Sequence, residues 1–169
     1  MIFLTIGTHE PFDRLVRALD DWLGQRSERH EVVAQVISPA INAYRPRHFE
    51  TVAHLSPAAY EAYVRRASLI VSHAGMGSIL TAFTNGKPIV ILPRRGHLRE
   101  TRNDHQYTTV KTLPTRPGLF VALDESDLPA VMDEALAAIT GTAPPRLSDV
   151  ADPGFTNALR DFIFSPKRK

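Results

Sequence analysis

Cysteine is absent from the 169-residue chain. That excludes a disulfide scaffold, a cysteine-ligated zinc or iron–sulfur site and a thiol nucleophile, and it fits a reducing compartment. Long apolar runs are missing as well: nothing approaches the roughly 18 residues that cross a bilayer as a helix. The opening Met1-Ile2-Phe3-Leu4-Thr5-Ile6 has no basic stretch before it and meets Gly7 and Glu10 too early for a signal peptide. The expected location is therefore the cytoplasm. Neither sign of charge dominates, with 20 Lys+Arg against 18 Asp+Glu and a net charge of +2. Without a basic stripe studded with aromatics, nucleic acid is not expected as a partner. The seven histidines include no H-x-x-x-H pair and there is no Asp-x-Asp, so no metal is expected. Gly-x-Ser-x-Gly is missing too, which removes the nucleophile elbow of a serine hydrolase.

What is present is a globular composition, 43% hydrophobic and 22% charged, in a chain of one domain's length. Strand-like and helix-like stretches alternate. Ile2–Ile6, Val32–Ile37, Glu50–Leu55, Ser68–Ser72, Pro88–Leu92 and Leu119–Ala122 read as strands. Phe12, Leu15, Val16, Leu19, Trp22 and Leu23 recur at helical spacing, with Pro11 suited to the first turn. Ser56-Pro57 opens a second helix that turns Tyr60, Tyr63, Val64 and Ala67 inward. A third helix runs from about Met76 to Asn85 and stops at Gly86. Asn103 or Asp104 caps a fourth, and Asp124 caps a fifth carrying Leu128, Val131, Met132, Ala135, Leu136 and Ile139 on one face. Residues 38–48 and 93–103 read as loops. Continuous apolar strands separated by amphipathic helices predict an α/β, Rossmann-like, mostly parallel six-stranded sheet with helices on both faces. We place this domain at residues 1–140. Residues 141–169 then form a Pro-rich linker, a short helix carrying Phe155, Leu159, Phe162 and Ile163, and a frayed basic tail, Lys167-Arg168-Lys169.

In such a sheet, ligands bind beyond the carboxyl ends of the strands at the switch point, which the first and fourth strands flank in the common order. The turns there are Gly7-Thr8 and Ser72-His73-Ala74-Gly75-Met76-Gly77-Ser78. Glycines at 75 and 77 would let a phosphate approach the backbone at a helix N-terminus; the same glycines would equally serve a tight strand-to-helix turn. His73 could donate to a phosphate oxygen or be satisfied by the backbone. The turn is not a G-x-G-x-x-G, because Leu80 stands at the third glycine, and it is not a P-loop. The loop 93–102 carries Arg94, Arg95, Arg99 and Arg102. Arg94 or Arg95 could grip a sugar carboxylate such as glucuronate in bidentate fashion, or the loop could be solvated with local ion pairs to Glu100 and Asp104.

Taken together, Thr5-Ile6-Gly7-Thr8-His9, the turn 72–78, Gly86-Lys87-Pro88-Ile89-Val90-Ile91-Leu92-Pro93 and Asn103-Asp104-His105-Gln106 resemble the C-terminal domain of glycosyltransferase family 28. The resemblance is to its stand-alone form, the PssE-type subunit of bacterial exopolysaccharide synthesis and the eukaryotic Alg-type UDP-GlcNAc transferase subunit. It implies the donor-binding half of a GT-B enzyme. By position, Gly7, Thr8 and the residues His73, Ala74, Gly75, Met76, Gly77 and Ser78 would hold the diphosphate of a UDP-sugar. Asp104, His105 and Gln106 would meet the sugar. Thr81 stands where MurG-type relatives carry a Glu that grips the ribose, and its hydroxyl offers a hydrogen bond instead. The resemblance further implies inverting transfer and a separate membrane-anchored, PssD-type subunit that supplies a polyprenyl-linked acceptor and recruits this chain to the membrane. The catalytic base would lie on that partner; on this side His9 and Glu10 are the candidates.

Two rival classes are weighed. A nicotinamide-dependent reductase lacks its fingerprint after the first strand, where Gly7-Thr8-His9-Glu10 stands. A regulatory subunit or UDP-sugar sensor could use the same pocket without catalysis.

Overall fold

The computed structural model describes residues 1–7, 10–37, 44–139, 144–148 and 150–165. Along the chain run β1 (Ile2–Thr5), α1 (Asp13–Gly24), β2 (Val32–Gln35), β3 (Glu50–Val52), α2 (Pro57–Arg66), β4 (Leu69–His73), α3 (Met76–Thr84), β5 (Ile89–Leu92), α4 (His105–Thr112), β6 (Leu119–Val121), α5 (Leu128–Ile139) and α6 (Pro153–Phe164). The six strands form one sheet in the order β3-β2-β1-β4-β5-β6, every neighbouring pair parallel. This is the doubly wound order, and its switch point lies between β1 and β4.

Successive residues of a strand face opposite sides of a sheet, and β1 shows the consequence. Ile2 and Leu4 join α1 and α5 in one core, with Leu15, Leu19, Trp22, Leu128, Met132 and Ala135. Phe3 points the other way, into a second core with Val64, Ile79, Phe83, Ile89 and Ile91. Covered on both faces, β1, β4 and β5 are buried almost throughout and therefore read as continuous apolar runs. At the sheet edge, β3 is short and exposed.

Local signals behave differently at different ends. Ser56 caps α2 as expected, its Oγ accepting from the Ala59 amide at 3.2 Å. Pro11 precedes the α1 N-cap, Phe12, rather than occupying the first turn. Asp124 does not cap α5. Its carboxylate accepts from the next amide, Glu125, and the helix begins only at Leu128 after a turn through Asp127. Asp104 occupies the N-cap of α4 without a capping side-chain bond, and Asn103 Oδ1 accepts from the His105 amide at 3.2 Å instead. The stretch 144–148 returns to the domain, where the Leu147 amide donates to the Phe83 carbonyl. The α6 helix, N-capped by Asp152, buries none of its residues. The expected loop at 38–43 and the tail Lys167-Arg168-Lys169 lie outside the described residues.

Candidate functional site

At the carboxyl edge of β1 and β4 opens a cleft of about 760 Å³. Gly7, His73, Gly77, Ser78 and Thr81 line it, so the two turns read from the sequence do meet. Its far wall comes from Gln35 at the end of β2, Leu55 before α2, and Pro57 and Tyr60 on α2. A second cavity, of about 650 Å³, lies at the opposite edge, between Lys87, Arg116, Gly118, Phe120 and Ile139. Only the first sits at the switch point, where parallel α/β sheets bind ligands.

Three amides of α3 face this edge without an intrahelical acceptor, those of Met76, Gly77 and Ser78, and no side chain caps the helix. An anion is the natural occupant of such a helix end. An ideal Cβ at Gly77 would meet nothing within 4 Å, so the backbone is open there. Gly75 has another purpose. A Cβ at Gly75 would lie 2.3 Å from His73 Nε2, and one at Gly7, whose φ is +80°, would lie 3.2 Å from His73 Cε1. These two glycines make room for the imidazole.

The hydrogen-bond network assigns the tautomer of that imidazole. Ser72 Oγ donates its one hydrogen to the Thr5 carbonyl at 2.8 Å, and His73 Nδ1 stands 3.2 Å from the same Oγ. With the Ser72 hydroxyl committed to Thr5, Nδ1 is assigned as the donor to Oγ, which leaves Nε2 as an acceptor. Burial, then the nearby charge of Arg94, lowers the His73 pKa to about 4, so the ring is neutral at pH 7. Donation from Nε2 to a phosphate oxygen would require the protonated ring. A neutral His73 offers its Nε2 lone pair and suits a hydroxyl.

Tyr60 serves both core and cleft. Its ring packs edge-on against Phe3 at 5.5 Å, and its hydroxyl interacts with Thr5 and Thr81. Thr5 in turn donates from Oγ1 to Gln35 Oε1 at 3.2 Å. The sequence pattern marked Tyr60 only as an inward residue of a helix, and nothing local singled out Gln35 or Leu55.

The expected sugar-reading residues are placed elsewhere. Arg94 is 4% exposed and donates to four main-chain carbonyls, those of Ile6, Glu10, Pro11 and Glu100. Arg95 stacks over Tyr107 at 3.9 Å, donates to the Leu123 carbonyl and pairs with Asp124. Both guanidinium groups are already committed, so the expected recognition of a sugar carboxylate by Arg94 or Arg95 is corrected. Nor do the local pairs form as expected. Glu100 is held by Arg14 from α1, whose Nε and Nη2 donate to its two oxygens at 2.8 Å each. Asp104 accepts from the Gly96 amide at 2.7 Å, His105 bonds Asn103, and buried Gln106 accepts from the Arg94 amide at 3.2 Å. None of Asp104, His105 and Gln106 lines the cleft. Ala74 is buried in the core below it, and Met76 is exposed at the helix start. Of the two candidate bases, Glu10 is half-buried, with its carbonyl bound to Arg94. His9 and Thr8 lie outside the described residues.

Comparison with known proteins agrees with this geometry. No curated protein matches the chain significantly. Among solved structures, a glycosyltransferase of kitacinnamycin superposes with a TM-score of 0.54 at 17% identity over 94% of this chain. An enzyme described as a UDP-N-acetylglucosamine 2-epimerase from Listeria monocytogenes gives 0.54 at 15% identity over 99%. The solution structure of ALG13 gives 0.50 at 15% identity over 97%. The chain spans 37% of the kitacinnamycin enzyme and 46% of the epimerase, but 96% of ALG13. At these identities the likeness is one of fold. The family whose pattern fits is the glycosyltransferase family 28 C-terminal domain, over residues 1–143. The chain belongs to that glycosyltransferase family.

Proposed function

We propose that this chain binds the UDP portion of a nucleotide sugar in the β1/β4 cleft and acts as the donor-binding half of a two-chain, inverting GT-B glycosyltransferase. The observation that carries the reading is the cleft itself, seated at the switch point of a family 28 domain against the uncapped N-terminus of α3. Leu55, Pro57 and Tyr60 form its apolar wall, fit for a planar base. Gln35, Thr81 and the His73 Nε2 are polar groups suited to hydroxyls. The amides of Gly77 and Ser78 suit a diphosphate.

Breaking the bond from the sugar C1 to the diphosphate leaves extra negative charge on UDP. Fixed dipoles aimed at that charge lower the barrier, and the α3 amides are such dipoles. We propose that binding is metal-free. Among the described residues no three His, Cys, Asp or Glu stand together as a metal site. Neither Arg94 nor Arg95 is proposed to read an acidic group on the sugar, because both are engaged elsewhere.

Two observations support an acceptor-binding partner. A GT-B site lies between two domains, and residues 1–143 supply one. Moreover α6 exposes Phe155, Leu159, Phe162 and Ile163 along one face, between 46% and 82% exposed, and apolar patches of this kind mark interaction surfaces. No helix among the described residues is long and apolar enough to cross a membrane. We further propose that a membrane-anchored partner carries the polyprenyl-linked acceptor and the catalytic base. Titration of UDP, UDP-GlcNAc, UDP-glucose and UDP-glucuronate by calorimetry in EDTA tests the core of the proposal. All should bind, and uridine should bind more weakly. Absence of UDP binding with and without Mg²⁺ would overturn it.

A further inference from the structure

A buried arginine with no hydrogen-bonded carboxylate is an expensive way to fill space, since an apolar side chain over Phe12 would avoid desolvating a charge. Arg94 is such a residue. It follows β5, and its guanidinium lies 4.5 Å over the Phe12 ring. Nη2 donates to the Ile6 and Glu10 carbonyls at 2.9 and 2.7 Å. Nη1 donates to those of Pro11 and Glu100 at 2.6 and 3.1 Å. Because β4 lies between β1 and β5, the side chain passes over the carboxyl end of β4, where His73 stands at the cleft. Ile6, Glu10 and Pro11 are the two ends of the β1–α1 loop, so one planar group fixes how that loop leaves the sheet. Gly7, in the left-handed region at the start of the loop, lines the cleft.

The charged groups around Arg94 are Glu10 and Glu100, which attract it, and Arg14, which repels it. The Glu100 carboxylate is already bound by Arg14 and by the Arg95 amide at 2.9 Å. His73 on β4 faces the same guanidinium. Arg94 is thus anchored to main chain and to one loop residue that is itself fixed.

We infer that Arg94 is a positioning residue of the nucleotide site, fixing the two ends of the β1–α1 connection and with them Gly7 at the cleft. The inference rests on the UDP reading above. Its test compares Arg94→Lys with the wild type, using UDP and uridine as probes. Lysine keeps the positive charge, but one ammonium cannot hold four carbonyls from two loops. UDP affinity should fall about tenfold, the size of one net hydrogen bond, with uridine affinity within about twofold of wild type. Unchanged UDP affinity in the variant would overturn the inference, because the charge alone would then suffice. Parallel losses for UDP and uridine would also overturn it, by making Arg94 a general stabiliser of the fold. A wild type that binds no UDP would sink the nucleotide reading before the variant is reached. Should the variant not fold, amide exchange in the wild type decides. The amides of Gly7 and Glu10 should be slowed by UDP and not by uridine, and equal exchange with both would overturn the inference.

Discussion

Gly75 and Gly77 stand two positions apart in one turn, yet their missing Cβ atoms serve different ends. Alanine at Gly75 would press on His73 Nε2 from 2.3 Å, and overpacking of this kind costs about 1–3 kcal/mol. Alanine at Gly77 meets open space within α3, where it should raise stability by about 0.5–1 kcal/mol. Its methyl group nonetheless enters the cleft wall, so UDP should bind about tenfold more weakly, or about 1.4 kcal/mol. Thermal melts and UDP titration of both variants check this pair of opposite signs. If Gly77→Ala binds UDP like wild type, the diphosphate does not sit on the α3 terminus. His73 leads to a pH prediction. Its pKa falls from the ordinary 6.5 to about 4 on burial beside Arg94, so below pH 6.5 the unfolded chain takes up a proton that the folded chain refuses. Stability from this residue is therefore whole above pH 6.5 and falls as pH drops towards 4, by up to about 3 kcal/mol. Urea midpoints at pH 7 and 4.5 should differ less in His73→Gln than in wild type, and identical pH dependence in the two proteins would refute the assignment.

Between elements, the loops at the carboxyl edge are joined by charge rather than by apolar packing. Arg14 of α1 reaches Glu100 in the β5–α4 loop, Glu125 after β6 and the Pro93 carbonyl. The Arg14 and Glu100 side chains are only 10% and 11% exposed, so their pairing is poorly screened, unlike the open pair Arg65–Glu61. Removing one partner leaves the other charge desolvated. Glu100→Gln should cost about 2 kcal/mol, read from chemical denaturation, since Arg14 keeps Glu125 and the Pro93 carbonyl. A change below about 0.5 kcal/mol would place this bridge among the pairs that contribute little. Asp20 joins α1 to residues 44–48 in a similar way, accepting from Tyr44 Oη at 2.6 Å and from the Arg47 and His48 amides. Burial alone would raise its pKa, but these bonds outweigh it and hold the carboxyl low.

At the scale of the whole molecule, α6 contributes no buried residue, so the packed domain owes it no apolar burial. A chain ending at residue 150 should melt within about 2 °C of the full chain, a shift that corresponds to about 0.5–1 kcal/mol. The same truncation should abolish co-purification with a membrane-anchored acceptor subunit and, with it, sugar transfer. A drop in melting temperature of more than about 5 °C would mean that α6 packs on the domain. Retained association would move the interface elsewhere.

The repeating apolar runs and helical spacings of this chain determined its six strands, their parallel pairing and the place of the cleft at the first and fourth strands. Burial on both faces writes itself into consecutive residues, as in Leu69-Ile70-Val71. Turn chemistry was legible where one residue acts on its neighbours, as at Ser56. It failed at Asp124, where a tight turn intervenes before the helix. The use of each charge was decided by tertiary structure alone. Arg94 looked like a sugar-reading residue because its loop is basic, but the Ile6 carbonyl it binds lies 88 positions away. The reason for Gly75 likewise rests on the side chain of His73, and the cleft wall at Gln35 and Tyr60 on how β2 and α2 pack beside β1. Local pattern records whether a residue is buried. Which partner meets a buried polar group is settled only when the strand order brings distant loops to one edge of the sheet.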